Sequence, residues 1–183
     1  MDLFSANQLM WAAFIVGNSA PLLFIALYNT QKISRELFIL YFLGVLVGFT
    51  WEIPFALAGK SFHLILIDWP IDLPLVRNIT YSFIDGLIFL AGVFLAKVFL
   101  KNKQFLYNYN STALLIMILW GGFSEFLVDL NGNGKLWLFI ENWYNPVFIT
   151  INGNSLTIIP QLIWFVAPIL YYFTVLKCLS KIP

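Results

Sequence analysis

The chain has 183 residues, of which 61% are hydrophobic, 19% aromatic and 10% charged. Soluble domains carry about 25% charged residues, so this composition excludes a water-facing globular surface and implies an integral membrane protein. One domain, residues 1–183, fits the length, and a net charge of +1 gives no ground for a nucleic-acid partner.

The N-terminal stretch Met1–Gln8 carries Asp2 and no Lys or Arg. A secretory signal needs a basic start and a cleavage site, so the first apolar run reads as a retained helix. A spanning helix needs about 20 mostly apolar residues. Five segments qualify, at about 8–28, 37–58, 77–100, 112–130 and 157–178. The expected fold is an all-α polytopic bundle of five transmembrane helices. Lys32, Arg35, Lys97, Lys101, Lys103, Lys177 and Lys181 fall at one end, and Lys60, Arg77 and Lys135 at the other. The positive-inside rule then makes the N-terminus non-cytoplasmic and the C-terminus cytoplasmic. The single cysteine, Cys178, excludes an internal disulfide and reads as a small hydrophobe.

Two loops on the expected outer side are long. Residues 59–76 hold Phe62, His63, Trp69 and two prolines and read as interfacial. In residues 131–156 and just beyond, Val147–Thr150 and Leu156–Ile159 flank Asn152-Gly153, the pattern of a β-hairpin. Lipid cannot satisfy a hairpin's edges, so this one is expected to sit outside and roof the bundle. Asp129-Leu-Asn131-Gly-Asn133-Gly134 matches the first half of a calcium loop. Its twelfth position is Ile140 where a glutamate belongs, so a glycine-rich turn is expected. His63 is the only histidine, which excludes a multi-histidine metal site, and it reads as a loop residue.

Three carboxylates fall inside expected helices: Glu52, Asp85 and Glu125. Intramembrane acids are costly and face the bundle interior with a purpose. At 1.5 Å per residue they lie roughly 10, 12 and 9 Å below the outer helix ends. Three antiparallel helices therefore bring acids to one layer. Asn78, Tyr81 and Asp85 share one helix face. Gly44 and Gly48 precede Glu52 at four-residue spacing and permit close helix packing, and Gly121 with Trp120 and Ser124 accompanies Glu125. Gln161 and Trp164 on helix 5 and Asn18 on helix 1 complete a polar, aromatic pocket. No basic residue inside the membrane is expected to neutralise these acids.

Paired carboxyl groups in an apolar setting suit proton chemistry, one holding a proton while another stays ionised. Aromatic faces stabilise a nearby cation. This inventory fits an enzyme that protonates an alkene or epoxide, and equally a proton-coupled carrier. With no Asp-rich motif to hold Mg²⁺, a diphosphate-ionising mechanism is not expected.

Gly48-Phe-Thr-Trp51-Glu52-Ile53, after a first helix and a short basic loop, resembles the Trp-Glu helix of the integral-membrane terpenoid cyclases of fungal meroterpenoid and indole-diterpene pathways. That resemblance implies that Glu52 is the proton donor, working with a second acid, for which Asp85 is the chemical match. Glu141-Asn-Trp143-Tyr144-Asn-Pro146 and Pro160-Gln161-Leu-Ile-Trp164 resemble the loop-to-helix passage of small membrane lycopene cyclases and carotenoid hydratases. The chain departs from these families in having five helices where the fungal cyclases usually have seven, and in lacking the Pro-x-Glu-Glu of lycopene cyclases. The emopamil-binding sterol isomerases offer a second comparison, but their key intramembrane histidine is missing.

The leading expectation is a membrane terpenoid cyclase, with a lipophilic isoprenoid substrate and no metal or organic cofactor. Its catalytic residues would be Glu52, Asp85 and Glu125, and its substrate contacts Trp51, Asn78, Tyr81, Trp120, Trp143, Tyr144, Gln161, Trp164 and Asn18. A small proton-coupled carrier or lipophilic-ligand-binding subunit and a sterol-isomerase-like enzyme are the alternatives. A pocket sealed at its inner end would favour the enzyme.

Overall fold

The computed structural model describes residues 5–151 and 153–181. Five helices dominate it: α1 Ala6–Asn29, α2 Arg35–Ala58, α3 Pro74–Leu100, α4 Ser111–Gly132 and α5 Ile158–Leu179. Each is long and apolar enough to cross a membrane. Their ends follow local chemistry. Ser5 and Gln8 form a capping box at the start of α1, and the side chains of Ser34 and Asn110 cap α2 and α4. Helix α3 starts earlier than the hydrophobic run suggests, because Pro74 suits a first helical turn.

Helix α3 packs against α1, α2 and α4, and α5 closes a ring by packing on α4 and α2. The closest approach is between α2 and α3, where glycines face their neighbours. A Cβ added to Gly44 would stand 3.0 Å from the Cα of Gly86. The basic half of the ring is filled by Leu40, Phe89, Val93, Met117, Tyr171 and Val175. Its buried phenols are satisfied: Tyr171 donates to the Leu40 carbonyl at 3.0 Å and Tyr172 to that of Phe105 at 2.9 Å. Leu22, Leu57, Phe94, Phe99 and Leu119 are each more than half exposed on the outside. In water that surface would be an aggregation liability; hydrocarbon is the solvent it suits.

Two small sheets sit at the opposite end, so the fold is not purely helical. β1 (His63–Ile65) pairs antiparallel with β2 (Trp137–Phe139), His63 facing Phe139 and Ile65 facing Trp137. β3 (Val147–Ile151) and β4 (Asn154–Thr157) form the expected hairpin between α4 and α5, with a register irregularity between Val147 and Ile149. Its pairing stops at Thr157, since Ile158 and Ile159 already belong to α5. Gly153 takes the φ of +79° that such a turn needs. Asn152, like Asp2, lies outside the described residues.

A carboxyl-lined cavity as the candidate functional site

A cavity of about 600 Å³ lies inside the helix ring beneath the β1–β2 sheet. α2 contributes Trp51, Glu52 and Phe55; α3 contributes Tyr81, Ile84, Asp85 and Ile88, one stripe of a helix. Glu125 and Val128 come from α4, and Pro160, Ile163 and Trp164 from α5. His63, Trp137 and Phe139 of the sheet form the roof. The expectation that the β3–β4 hairpin is the roof is therefore corrected. Its strands do not line the cavity, because β2, threaded between α4 and the hairpin, covers the opening first.

Below the cavity the ring is plugged. Phe89 stacks on Trp164 at 5.3 Å and on Tyr171 at 4.6 Å, and Trp51 meets Trp164 edge-on at 5.6 Å. The side wall is less complete. α3 and α4 meet where Trp120 Nε1 donates to the Ile88 carbonyl at 2.8 Å. Towards the sheets the lining passes from α3 to Leu9 and Ala13 of α1, and across from them to Leu127, Val128 and Asn131 of α4. These three α4 residues are exposed, so the cavity has its mouth beside α4.

Glu52, Asp85 and Glu125 all face this space and are 9%, 6% and 7% exposed. Asn78, fully buried behind the wall, donates a 2.6 Å hydrogen bond to Glu52 Oε2. Asp85 rests on Gly48, one helical turn before Glu52. A Cβ at Gly48 would lie 2.7 Å from Asp85 Oδ2, so only glycine leaves this carboxyl its place. The expectation that no basic residue accompanies the acids is also corrected. Arg77 is 8% exposed, and its guanidinium lies within electrostatic reach of Glu52, Asp72 and Tyr81. Starting α3 at Pro74 carries Arg77 inside the first turn, four residues before Tyr81.

Of the expected substrate contacts, Trp51, Tyr81 and Trp164 line the cavity. Asn78 acts one layer back, through Glu52. Five other expected contacts do not line the cavity. Gln161 Nε2 instead donates to Asp129 Oδ2 at 2.9 Å, and Trp120 fills the space beside Gly92. Asn18 spends its amide on Thr80 and the Phe14 carbonyl, tying α1 to α3. Trp143 is 90% exposed and Tyr144 is exposed beside it, because Asn142 Oδ1 accepts from the backbone N–H groups of Tyr144 and Asn145 and turns the loop outward.

Asp129 heads the stretch expected to form a glycine-rich turn. It is fully buried and accepts from both Gln161 and Trp137 Nε1, the latter at 3.4 Å. It therefore anchors the roof strand to α4 and α5. Like Asp129, His63 is absent from the expected site. It is 6% exposed and its ring stacks on Phe139 at 4.8 Å. Neither ring nitrogen has a hydrogen-bond partner among the described residues. Burial, assisted by the Arg77 charge, pushes its pKa down to about 3 and keeps the imidazole neutral. The one hint in the sequence was a lone histidine opening a short apolar run.

No protein-family model, curated protein or solved structure matches this chain. The functional reading therefore rests on the cavity: three carboxyl groups, a neutral imidazole and aromatic walls in a space closed at its floor.

Proposed function

We propose that the protein is a membrane-embedded acid–base enzyme that protonates an alkene or epoxide of a lipophilic isoprenoid and steers the carbocation to a cyclised or isomerised product. The observation that carries this reading is the convergence of Glu52, Asp85 and Glu125 in one aromatic-walled cavity. In the proposed cycle the Glu52 carboxyl proton adds to an alkene carbon, whose π pair forms the new C–H bond. With an epoxide the proton goes to oxygen and the C–O bond breaks. The faces of Trp51, Trp164 and Tyr81 stabilise the cation. A C–H pair then forms the product alkene as its proton passes to the Asp85 or Glu125 carboxylate, and return of that proton to Glu52 resets the site. Asn78 positions Glu52. The resemblance of the Trp51-Glu52 helix to terpenoid cyclases supports the assignment of the donor. The plugged floor supports an enzyme over a carrier, which needs a way through.

We further propose that the end carrying the seven basic residues is cytoplasmic, which puts the cavity in the outer half of the bilayer. The catalytic reading is tested by incubating purified protein with polyprenyl alkenes in D₂O, following deuterium bound to carbon, and with epoxides, following the cyclised or isomerised alcohol, since a deuteron on oxygen exchanges away. A general acid contributes about 10²–10⁴-fold, so Glu52→Gln should remove turnover by that order while the protein stays folded. Unchanged turnover in Glu52→Gln overturns the assignment.

A further inference from the structure

Among the described residues, four buried polar atoms of the cavity lining have no partner: Nδ1 and Nε2 of His63, the hydroxyl of Tyr81, and Oδ2 of Asp85. Buried polar groups in folded proteins are almost always hydrogen-bonded, and exceptions call for a reason. Here the orphans cluster. They come from the roof and from one stripe of α3, and they include both donors and acceptors. A neutral imidazole offers one N–H and one bare nitrogen, and a phenol can give or take a hydrogen bond.

We propose that these atoms form a seat for the uncharged oxygen of an amphiphilic ligand, with His63 and Tyr81 as its specificity-determining residues. This deepens the reading above, on which it rests, by naming the substrate as an oxygenated isoprenoid, a hydroxyl, carbonyl or epoxide compound. Charge argues against an anion, and the hydrogen-bond donors argue against a cation. An anionic head, such as a carboxylate or diphosphate, would enter a space lined by three carboxyl groups, with the one neighbouring guanidinium, Arg77, set behind the lining among Glu52, Asp72 and Tyr81. An ammonium head would satisfy the acceptors but leave the Tyr81 hydroxyl and the imidazole N–H without one. An oxygen satisfies donors, and a hydroxyl satisfies an acceptor as well. Size sets the scale of the tail. At about 30 Å³ per non-hydrogen atom, the volume of a water in the liquid, the cavity of about 600 Å³ takes roughly 20 such atoms.

The experiment uses the full-length protein in phosphatidylcholine nanodiscs and reads the fluorescence of Trp51, Trp137 and Trp164. The probes are a twenty-carbon polyprenyl alcohol and the hydrocarbon, amine and carboxylic acid of the same skeleton. The alcohol should bind about tenfold tighter than the hydrocarbon, the order of one or two hydrogen bonds, and tighter than the amine or acid. His63→Leu and Tyr81→Phe should each erase most of that preference, with folding checked by the thermal midpoint of each variant in the same nanodiscs. His63→Gln, which keeps a donor and an acceptor, should retain part of the preference. Equal binding of alcohol and hydrocarbon, a preference for amine or acid, no binding of any probe, or a preference indifferent to both substitutions overturns the seat. Head-group selectivity without turnover of any alkene or epoxide would leave the seat standing and sink the catalytic reading. Turnover without head-group selectivity would do the reverse.

Discussion

Asn78 of α3 donates a 2.6 Å hydrogen bond to Oε2 of Glu52 on α2, and neither side chain is open to water. The bond fixes one carboxyl oxygen and leaves the other to face the cavity. Hydrogen bonds to charged groups are worth about 1.5–3 kcal/mol, so Asn78→Leu should lower kcat by roughly ten- to a hundredfold with little change in KM. Asn78→Ser, which keeps a donor, should recover part of the loss. An unchanged kcat in Asn78→Leu would remove the positioning role.

Gly48→Ala places a methyl group against the Asp85 carboxyl and 3.2 Å from the Ser82 backbone. Overpacking of this kind costs about 1–3 kcal/mol. The nearest atom is the end of a side chain, so the carboxyl should move before the helices part. The variant should lose turnover out of proportion to its fall in thermal stability, measured side by side in detergent.

Asp129→Ala removes the shared acceptor of Gln161 and Trp137. Each buried donor left bare costs about 1–3 kcal/mol, so a loss of roughly 2–5 kcal/mol is expected. Because Trp137 belongs to the roof, its fluorescence should shift towards that of a solvated indole. A variant as stable as wild type with unchanged emission would contradict the anchoring role.

His63 gives a pH signature. Its folded pKa of about 3 lies below the ordinary histidine value of 6.5, so the unfolded chain binds the extra proton between those limits. Its contribution is complete above pH 6.5 and is lost as pH falls towards 3, by about 1.4 kcal/mol per pH unit. Thermal midpoints of wild type and His63→Leu, compared from pH 7 to 4, should show a gentler acid decline in the variant. Parallel curves would mean that the imidazole is not held neutral.

The orientation is checked with single cysteines in a Cys178→Ser background. A cysteine at Lys101 should react with an impermeant reagent only from the cytoplasmic side, and one at Gly153 only from the other. Labelling of both from the same side would refute five crossings.

Much of the helical frame was legible because hydrophobic length is a property of each segment alone. The acids were legible for the same reason, since charge inside an apolar run is visible without neighbours. Gly44 and Gly48 likewise marked the close α2–α3 contact. Hidden were features that depend on partners distant in sequence. β1 is a three-residue strand whose mate follows two helices later, with no turn signal between them. Arg77 looked like a boundary residue because the run of apolar residues begins near it, whereas Pro74 sets the helix start. Trp143 and Tyr144 looked like substrate contacts through the resemblance of their loop to that of lycopene cyclases, and only the Asn142 turn shows them facing away.

The pairing of β1 with β2 joins loops some seventy positions apart, one after α2 and the other after α4. During synthesis the first three helices can be threaded before β2 exists. Over that interval Glu52, Asp85 and His63 have neither a roof nor the α4 and α5 walls. Maturation of the site is therefore a late event, complete only when β2 and the fifth helix have followed the fourth. A chain stopped after Leu100 should be a poor lodger in the bilayer, holding buried acids without their enclosure, and a ready target for membrane quality control.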